Sequence, residues 1–142
     1  RGEDAWYCDN CNAYKEAAKK LELRTVPPVL VIQFKRFKYT QLEKGRINTP
    51  IDFPLEGLDM KPFCTKAARK QRNQEFLYDL LYVCEHYGNL AEGHYIAKCR
   101  SSMDGNWYNF NDGEVNRITA DEVLKNKSAA YILFYLRRDN RK

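Results

Sequence analysis

The chain has 142 residues, 44% hydrophobic and 13% aromatic, with a formal net charge of +5. This is apolar material enough for one modest domain with a core, and it excludes a disordered chain. No apolar run nears the roughly 18 residues a membrane-spanning helix needs, and so small a charge describes a mildly basic surface rather than a nucleic-acid partner.

The densest basic run, Lys66 to Arg72, has no aromatic until Phe76. It lacks the stacking side chains that nucleic-acid binding asks for and reads as a solvated loop. The opening Arg1-Gly2-Glu3-Asp4 has no initiator methionine and no apolar stretch behind it. It reads as part of a longer protein without a signal peptide. Five cysteines (Cys8, Cys11, Cys64, Cys84 and Cys99) form no evident disulfide framework. Such usage fits a reducing, intracellular compartment, cytoplasmic or nuclear, with Cys84 and Cys99 as buried thiols.

In chain order, Cys8-Asp-Asn-Cys11 is a C-x-x-C knuckle, half of a tetrahedral zinc site. Ala13 to Leu23 has apolar residues at helical spacing, and Val26-Pro27-Pro28 ends it. Val29 to Phe37 is the strongest strand; its apolar start predicts cover on both faces, and its basic end predicts emergence into solvent. Residues 38–50 are turn-like. Ile51 to Leu55 is a short extended stretch that Pro54 confines to an edge or loop. Residues 61–75 read as a surface loop. Strands follow at Phe76–His86, His94–Arg100, Trp107–Phe110 and Glu114–Ile118, with a loop at 87–93. Thr119-Ala-Asp-Glu122 is a capping box that opens a short helix to about Asn126, and Ala130–Leu136 is a closing strand. The fold class is α+β, mainly antiparallel sheet with few helices.

Of two histidines, His94 follows Gly93 at a loop exit, where a substrate backbone can come close. An imidazole can take and return a proton when a neighbour fixes its tautomer. Asn111 and Asp112 are the candidates. A two-residue turn at Asp104-Gly105 pairs residue 98 with 111; a four-residue loop at 101–104 pairs 94 with 111. Both put Asn111 on the face of His94, and only the second sets them side by side. Asp112 points to the other face unless the strand has ended. Spacing alone also fits a structural histidine followed by a simple turn.

The longer strings are more specific. Tyr78-Asp-Leu-Leu-Tyr-Val-Cys-Glu-His86-Tyr-Gly-Asn-Leu-Ala-Glu-Gly93-His94-Tyr95, Trp107-Tyr-Asn-Phe-Asn111-Asp112 and Ala130-Tyr-Ile-Leu-Phe-Tyr-Leu136 resemble the histidine box of the ubiquitin-specific proteases. Upstream, Trp6-Tyr-Cys8-x-x-Cys11 and Pro28-Val-Leu-Val-Ile-Gln-Phe-Lys-Arg-Phe37 are similar to that family in the same order.

The resemblance implies a papain-like cysteine protease fold and a thiol deubiquitinase that cleaves after the C-terminal glycine of ubiquitin. Residues 1–142 would be the C-terminal portion of one catalytic domain: 1–37 the lower fingers, 38–142 the palm with its blocking loops. His94 would be the general base and Asn111 its orienter, with Asp112 as an adjacent acid of lesser role. Tyr87, Gly88, Gly93 and Tyr95 would wall the slot for the ubiquitin tail. Segment 87–93 would be one blocking loop, and 51–58 would lie near the other.

The expected partners are ubiquitin, ubiquitinated proteins and the N-terminal part of the same domain, with no nucleic acid and no membrane. No cofactor is expected for catalysis; a structural zinc would need an upstream knuckle to complete Cys8 and Cys11. The family's cysteine box has no counterpart here, so the chain should be inactive alone. The family also expects an extended finger strand where residues 12–23 have helical spacing, and we side with the strand because tertiary pairing overrides weak propensity. The competing readings are an inactive ubiquitin-binding or scaffold module of the same fold, and a zinc-ribbon interaction domain.

Overall fold

A computed structural model describes residues 5–39, 44–89 and 91–140. Residues 1–4, residues 40–43 of the turn-like stretch and Leu90 of the predicted 87–93 loop lie outside the described residues. β1 (Trp6–Cys8) and β2 (Ala13–Lys15) form a hairpin, and β3 (Val29–Gln33) enters the main sheet. β4 (Phe37–Tyr39) and β5 (Lys44–Arg46) form a second hairpin. β6 (Leu58–Asp59) and α1 (Lys66–Arg69) precede the long β7 (Leu77–Gly88). Then come β8 (Gly93–Arg100), β9 (Trp107–Asn111), β10 (Glu114–Ile118), α2 (Ala120–Leu124) and β11 (Ala130–Arg137). Among the described residues, seven strands make one antiparallel sheet in the order β10-β9-β8-β7-β11-β3, with β6 also on β7.

Alternation sets which face is buried. Two register shifts between β7 and β11 let Tyr78 and Leu80, and then Val83 and Glu85, all turn inward with Leu133 and Tyr135. A bulge switches the parity of a strand, so a long strand can keep one face on a curved core. Phe53, Phe76, Ala68, Cys64 and Val123 complete that core from the loops and short helices laid over the inner face. Thr119 caps α2 as expected: its hydroxyl accepts from the Glu122 amide, and the Glu122 carboxylate accepts from the Thr119 amide.

Several expectations need correction, though not the preference for strand over helix at 12–23: Ala13–Lys15 pairs with Trp6–Cys8 as strand, and Leu23 forms a single bridge to Cys64. Pairing across the knuckle decides this, with Asn12 at φ 45° closing the turn. β3 is covered on one face only. Among the described residues it pairs with β11 alone, Leu30 and Ile32 face inward, and Val29 and Val31 are about half exposed, at 46% and 53%. The basic end of that stretch emerges only at Lys35, which is exposed. Arg36 is buried and donates to the carbonyls of Ala130, Ile47, Thr49 and Lys127. A guanidinium carries five donors in a fixed fork, so it can staple three segments whose carbonyls would otherwise be orphaned. The stretch 61–75 is a 3-10 turn and the capped helix α1 rather than a plain loop. Cys84 and Cys99 are half-buried; Cys64 is the fully buried thiol.

Candidate active site

The site lies where β8 and β9 pass the end of the buried core. β7 stays in strand to Gly88 and β8 begins at Gly93, so the loop predicted at 87–93 shrinks to 89–92. The β8–β9 connection follows neither register considered from sequence. Ser102–Gly105 forms the loop, Gly105 takes φ 72°, and Arg100 pairs with Trp107 and Ala97 with Phe110. Continued one step, this register sets Asn111 opposite Ile96. His94 is then its diagonal neighbour on the same face, a separation that longer side chains bridge.

They do meet. His94 Nε2 lies 2.5 Å from Asn111 Oδ1. An amide oxygen only accepts, so Nε2 carries the hydrogen and Nδ1 the lone pair. Nδ1 has no hydrogen-bond partner among the described residues. Asp112 sits at φ 51° in a two-residue turn that pairs Asn111 with Glu114. The strand has therefore ended, and the Asp112 carboxylate swings to 4.0 Å from Nε2, largely in solvent. Asn111 holds the imidazole; Asp112 adds charge from outside hydrogen-bond range.

The predicted slot residues divide between two faces. Tyr87 is directly across from His94, and His86 across from Tyr95. Tyr87 therefore shares the face of His94, whereas Tyr95 stands on the opposite face against the His86 ring, at 4.7 Å between centroids. Both glycines have steric reasons. Gly88 takes φ 105°, and a Cβ there would lie 2.5 Å from the Glu92 carbonyl oxygen. At Gly93 a Cβ would lie 2.1 Å from His86 Nε2. The buried His86 thus forms the floor under the residue that precedes His94.

The family profile described as ubiquitin carboxyl-terminal hydrolase matches residues 3–135. The chain belongs to the ubiquitin carboxyl-terminal hydrolase family. Ubiquitin carboxyl-terminal hydrolase 4 of Pongo abelii is 39% identical over 138 residues, covering 96% of this chain and 14% of the relative. Ubiquitin carboxyl-terminal hydrolase 15 of Homo sapiens is 40% identical over 137 residues, covering 96% and 13%. Among solved structures, the SAGA Ubp8/Sgf11/Sus1/Sgf73 DUB module bound to ubiquitin aldehyde matches with a TM-score of 0.76 at 36% identity, over 97% of this chain and 30% of that one. The yeast SAGA DUB module with a variant Sgf73 matches at 0.79 and 36%, over 96% and 29%. The fold is thus the deubiquitinase form of the papain-like architecture, and the chain spans a small fraction of the relatives it matches.

Within this segment no cysteine lies on the sheet face of His94. Cys84 and Cys99 lie on the opposite face, by the same register that places His86 there, Cys64 is in the core, and Cys8 and Cys11 are in the separate β1–β2 hairpin. Burial pushes the Cys64, Cys84 and Cys99 thiols up, away from the reactive thiolate. At the knuckle, the Cys11 amide donates to the Cys8 carbonyl at 3.1 Å, and the Cys11 backbone stabilises the Cys8 thiolate and lowers its pKa. No third potential metal ligand joins this pair among the described residues, so it offers two of the four donors a structural zinc needs.

Sequence reasoning missed Arg46, which donates to the His86 and Ser128 carbonyls at 2.8 and 3.0 Å. It also missed Glu85 and Lys98, a buried ion pair at 2.6 Å just behind the site. Glu85 and Lys98 carried a signal that each needs a partner, being charged residues inside largely apolar strands; Arg46, in the polar β5 Lys44-Gly45-Arg46, carried none.

Proposed function

We propose that this chain is the base-bearing part of a thiol deubiquitinase whose nucleophilic cysteine lies in a segment outside the chain. The observation that carries the reading is the 2.5 Å contact between His94 Nε2 and Asn111 Oδ1, which leaves Nδ1 as the basic atom. The chemistry follows from that tautomer. Nδ1 takes the thiol proton as sulfur attacks the carbonyl carbon of the C-terminal glycine of ubiquitin. The same proton then passes to the leaving lysine or α-amine, and the C–N bond breaks to leave a thioester. His94 next deprotonates the water that hydrolyses the thioester, releasing ubiquitin. Asn111 keeps the ring in place and, being neutral, stabilises the imidazolium by its carbonyl dipole.

Ubiquitin and ubiquitinated proteins are the partners in this reading, and a cysteine nucleophile of this kind suits an intracellular, reducing compartment. The 142-residue chain alone should give no turnover of a fluorogenic ubiquitin amide and no labelling by a ubiquitin vinyl electrophile, while the full-length protein gives both. Turnover by the isolated chain, or labelling of one of its five cysteines, would overturn the proposal. A full-length protein that binds ubiquitin but does not cleave it would mark an inactive scaffold instead.

A further inference from the structure

The Lys98–Glu85 pair is buried beside the apolar cluster that holds Val83 and Val123. Lys98 Nζ donates to Glu85 Oε1 at 2.6 Å and to the Glu122 carbonyl of α2 at 2.9 Å. The second oxygen, Glu85 Oε2, accepts from the Tyr87 hydroxyl at 2.7 Å. That hydroxyl in turn accepts from Asn126 Nδ2 at 2.9 Å. Both ionic side chains are almost wholly buried, and both carboxylate oxygens and the phenol are satisfied. Removing one partner from such a network is strongly destabilising, whereas replacing both by apolar groups is often neutral. Stability alone therefore does not account for the pair.

Its position suggests what does. Tyr87 stands directly across from His94 on the same face, and its hydroxyl is tied on one side to β7 and on the other to the segment after α2. The side chain is thereby fixed at the ladder position directly across from His94. We infer that Glu85 and Lys98 are positioning residues for His94, acting through Tyr87: the ion pair locks Tyr87, and Tyr87 locks the β7–β8 end that carries the base. This rests on His94 being the general base.

The test uses the full-length protein and two kinds of variant. Tyr87→Phe cuts the link while leaving the ion pair intact. Glu85→Leu combined with Lys98→Met removes the charges together, so neither is left buried alone. In each, kcat for a fluorogenic ubiquitin amide should fall by roughly tenfold with KM held within about twofold, because only the alignment of the base is lost. Combining the two should give no further loss, since both break one chain of contacts. Hydrogen exchange of the amides in β7–β8 around residues 86–96 should quicken by about tenfold in both variants.

Unchanged exchange in that hairpin overturns the inference, whether or not the protein cleaves ubiquitin. An unchanged kcat in an active protein also overturns it. A raised KM with kcat unchanged makes Tyr87 a substrate wall and overturns the positioning role. An inactive wild type refutes the deubiquitinase reading, and hydrogen exchange then decides the network by itself.

Discussion

Two hairpins in this molecule carry recognisable chemistry, and they differ in what surrounds them. The β7–β8 hairpin is flanked by β9 and β11, so its side chains meet partners from four strands. Among the described residues the β1–β2 hairpin pairs only with itself, and Trp6, Tyr7 and Tyr14 stay exposed; its cross-strand Tyr7 and Tyr14 rings meet edge to face at 5.3 Å. An isolated two-stranded hairpin is marginal in water. The first hairpin therefore delivers an oriented imidazole, and the second delivers two thiols without further support. A chemical motif is functional to the extent that its supporting contacts are present in the same chain.

The sharpest way to break this comparison is to remove the oriented imidazole. In the full-length protein, His94→Gln should lower kcat on the order of 10³-fold. Asn111→Ala should cost on the order of 10²-fold, and Asn111→Asp less than about tenfold, because a carboxylate accepts the same Nε2 hydrogen. Asp112→Ala should cost least of these, being 4.0 Å away and mostly in solvent. Steady-state hydrolysis of a ubiquitin amide measures all four. A larger loss for Asp112→Ala than for Asn111→Ala would reverse the assignment of orienter.

The packing beneath the base comes next. Gly93→Ala drives a methyl group into the His86 imidazole and should destabilise by about 1–3 kcal/mol. His86→Ala in the same chain should recover part of that loss by opening the space. Gly88→Ala meets the Glu92 backbone and a positive φ instead, so no side-chain substitution should rescue it. Thermal melting of the single and double variants separates the two cases; equal rescue at both glycines would show that His86 is not the floor.

Much of this was legible in the sequence, and the failures have definite causes. The strands of the site, the capping box of α2 and the shared face of His94 and Asn111 all follow from period-two alternation and local turn chemistry. The β8–β9 register was out of reach, because Ser101 to Asn106 offers several turns of similar cost and only the packing of Trp107 against the core chooses among them. Arg36 was misread for a related reason. Its four carbonyl partners come from residues 11 to 94 positions away in sequence, so nothing local marks it as buried. The Glu85–Lys98 pair becomes visible only once Val83 is known to face Lys98 across the ladder. The helical spacing of residues 13–23 was outweighed by pairing across the knuckle.

The two histidines extend the comparison to pH. Burial, with Arg46 nearby adding to it, pushes the His86 imidazole below its ordinary value. Below about 6.5 the unfolded chain takes up a proton that the folded chain does not. The stability contributed by neutral His86 is thus complete above that pH and falls as pH drops from it toward the folded-state value. His86→Phe, which keeps a flat ring under Gly93, should flatten that part of the profile of melting temperature against pH in the full-length protein. A wild-type slope that survives in the variant would locate the titration elsewhere.

The smallest expected effect belongs to the hairpin without neighbours, and it reads out chemistry rather than catalysis. Cys11 is the exposed thiol, and the Cys11 backbone stabilises the Cys8 thiolate, whereas burial raises Cys64, Cys84 and Cys99. In chelator-treated full-length protein, iodoacetamide should therefore modify Cys8 and Cys11 ahead of the other three at neutral pH. If a second knuckle elsewhere in the protein completes the site, added zinc should protect both thiols, and Cys8→Ser with Cys11→Ser should remove one bound zinc per chain by elemental analysis. Protection of one thiol without the other would contradict a shared tetrahedral site, since each knuckle cysteine supplies its own bond to the metal. Full reactivity in the presence of zinc would leave the hairpin as bare β-structure, and the contrast with β7–β8 would then be one of folding alone.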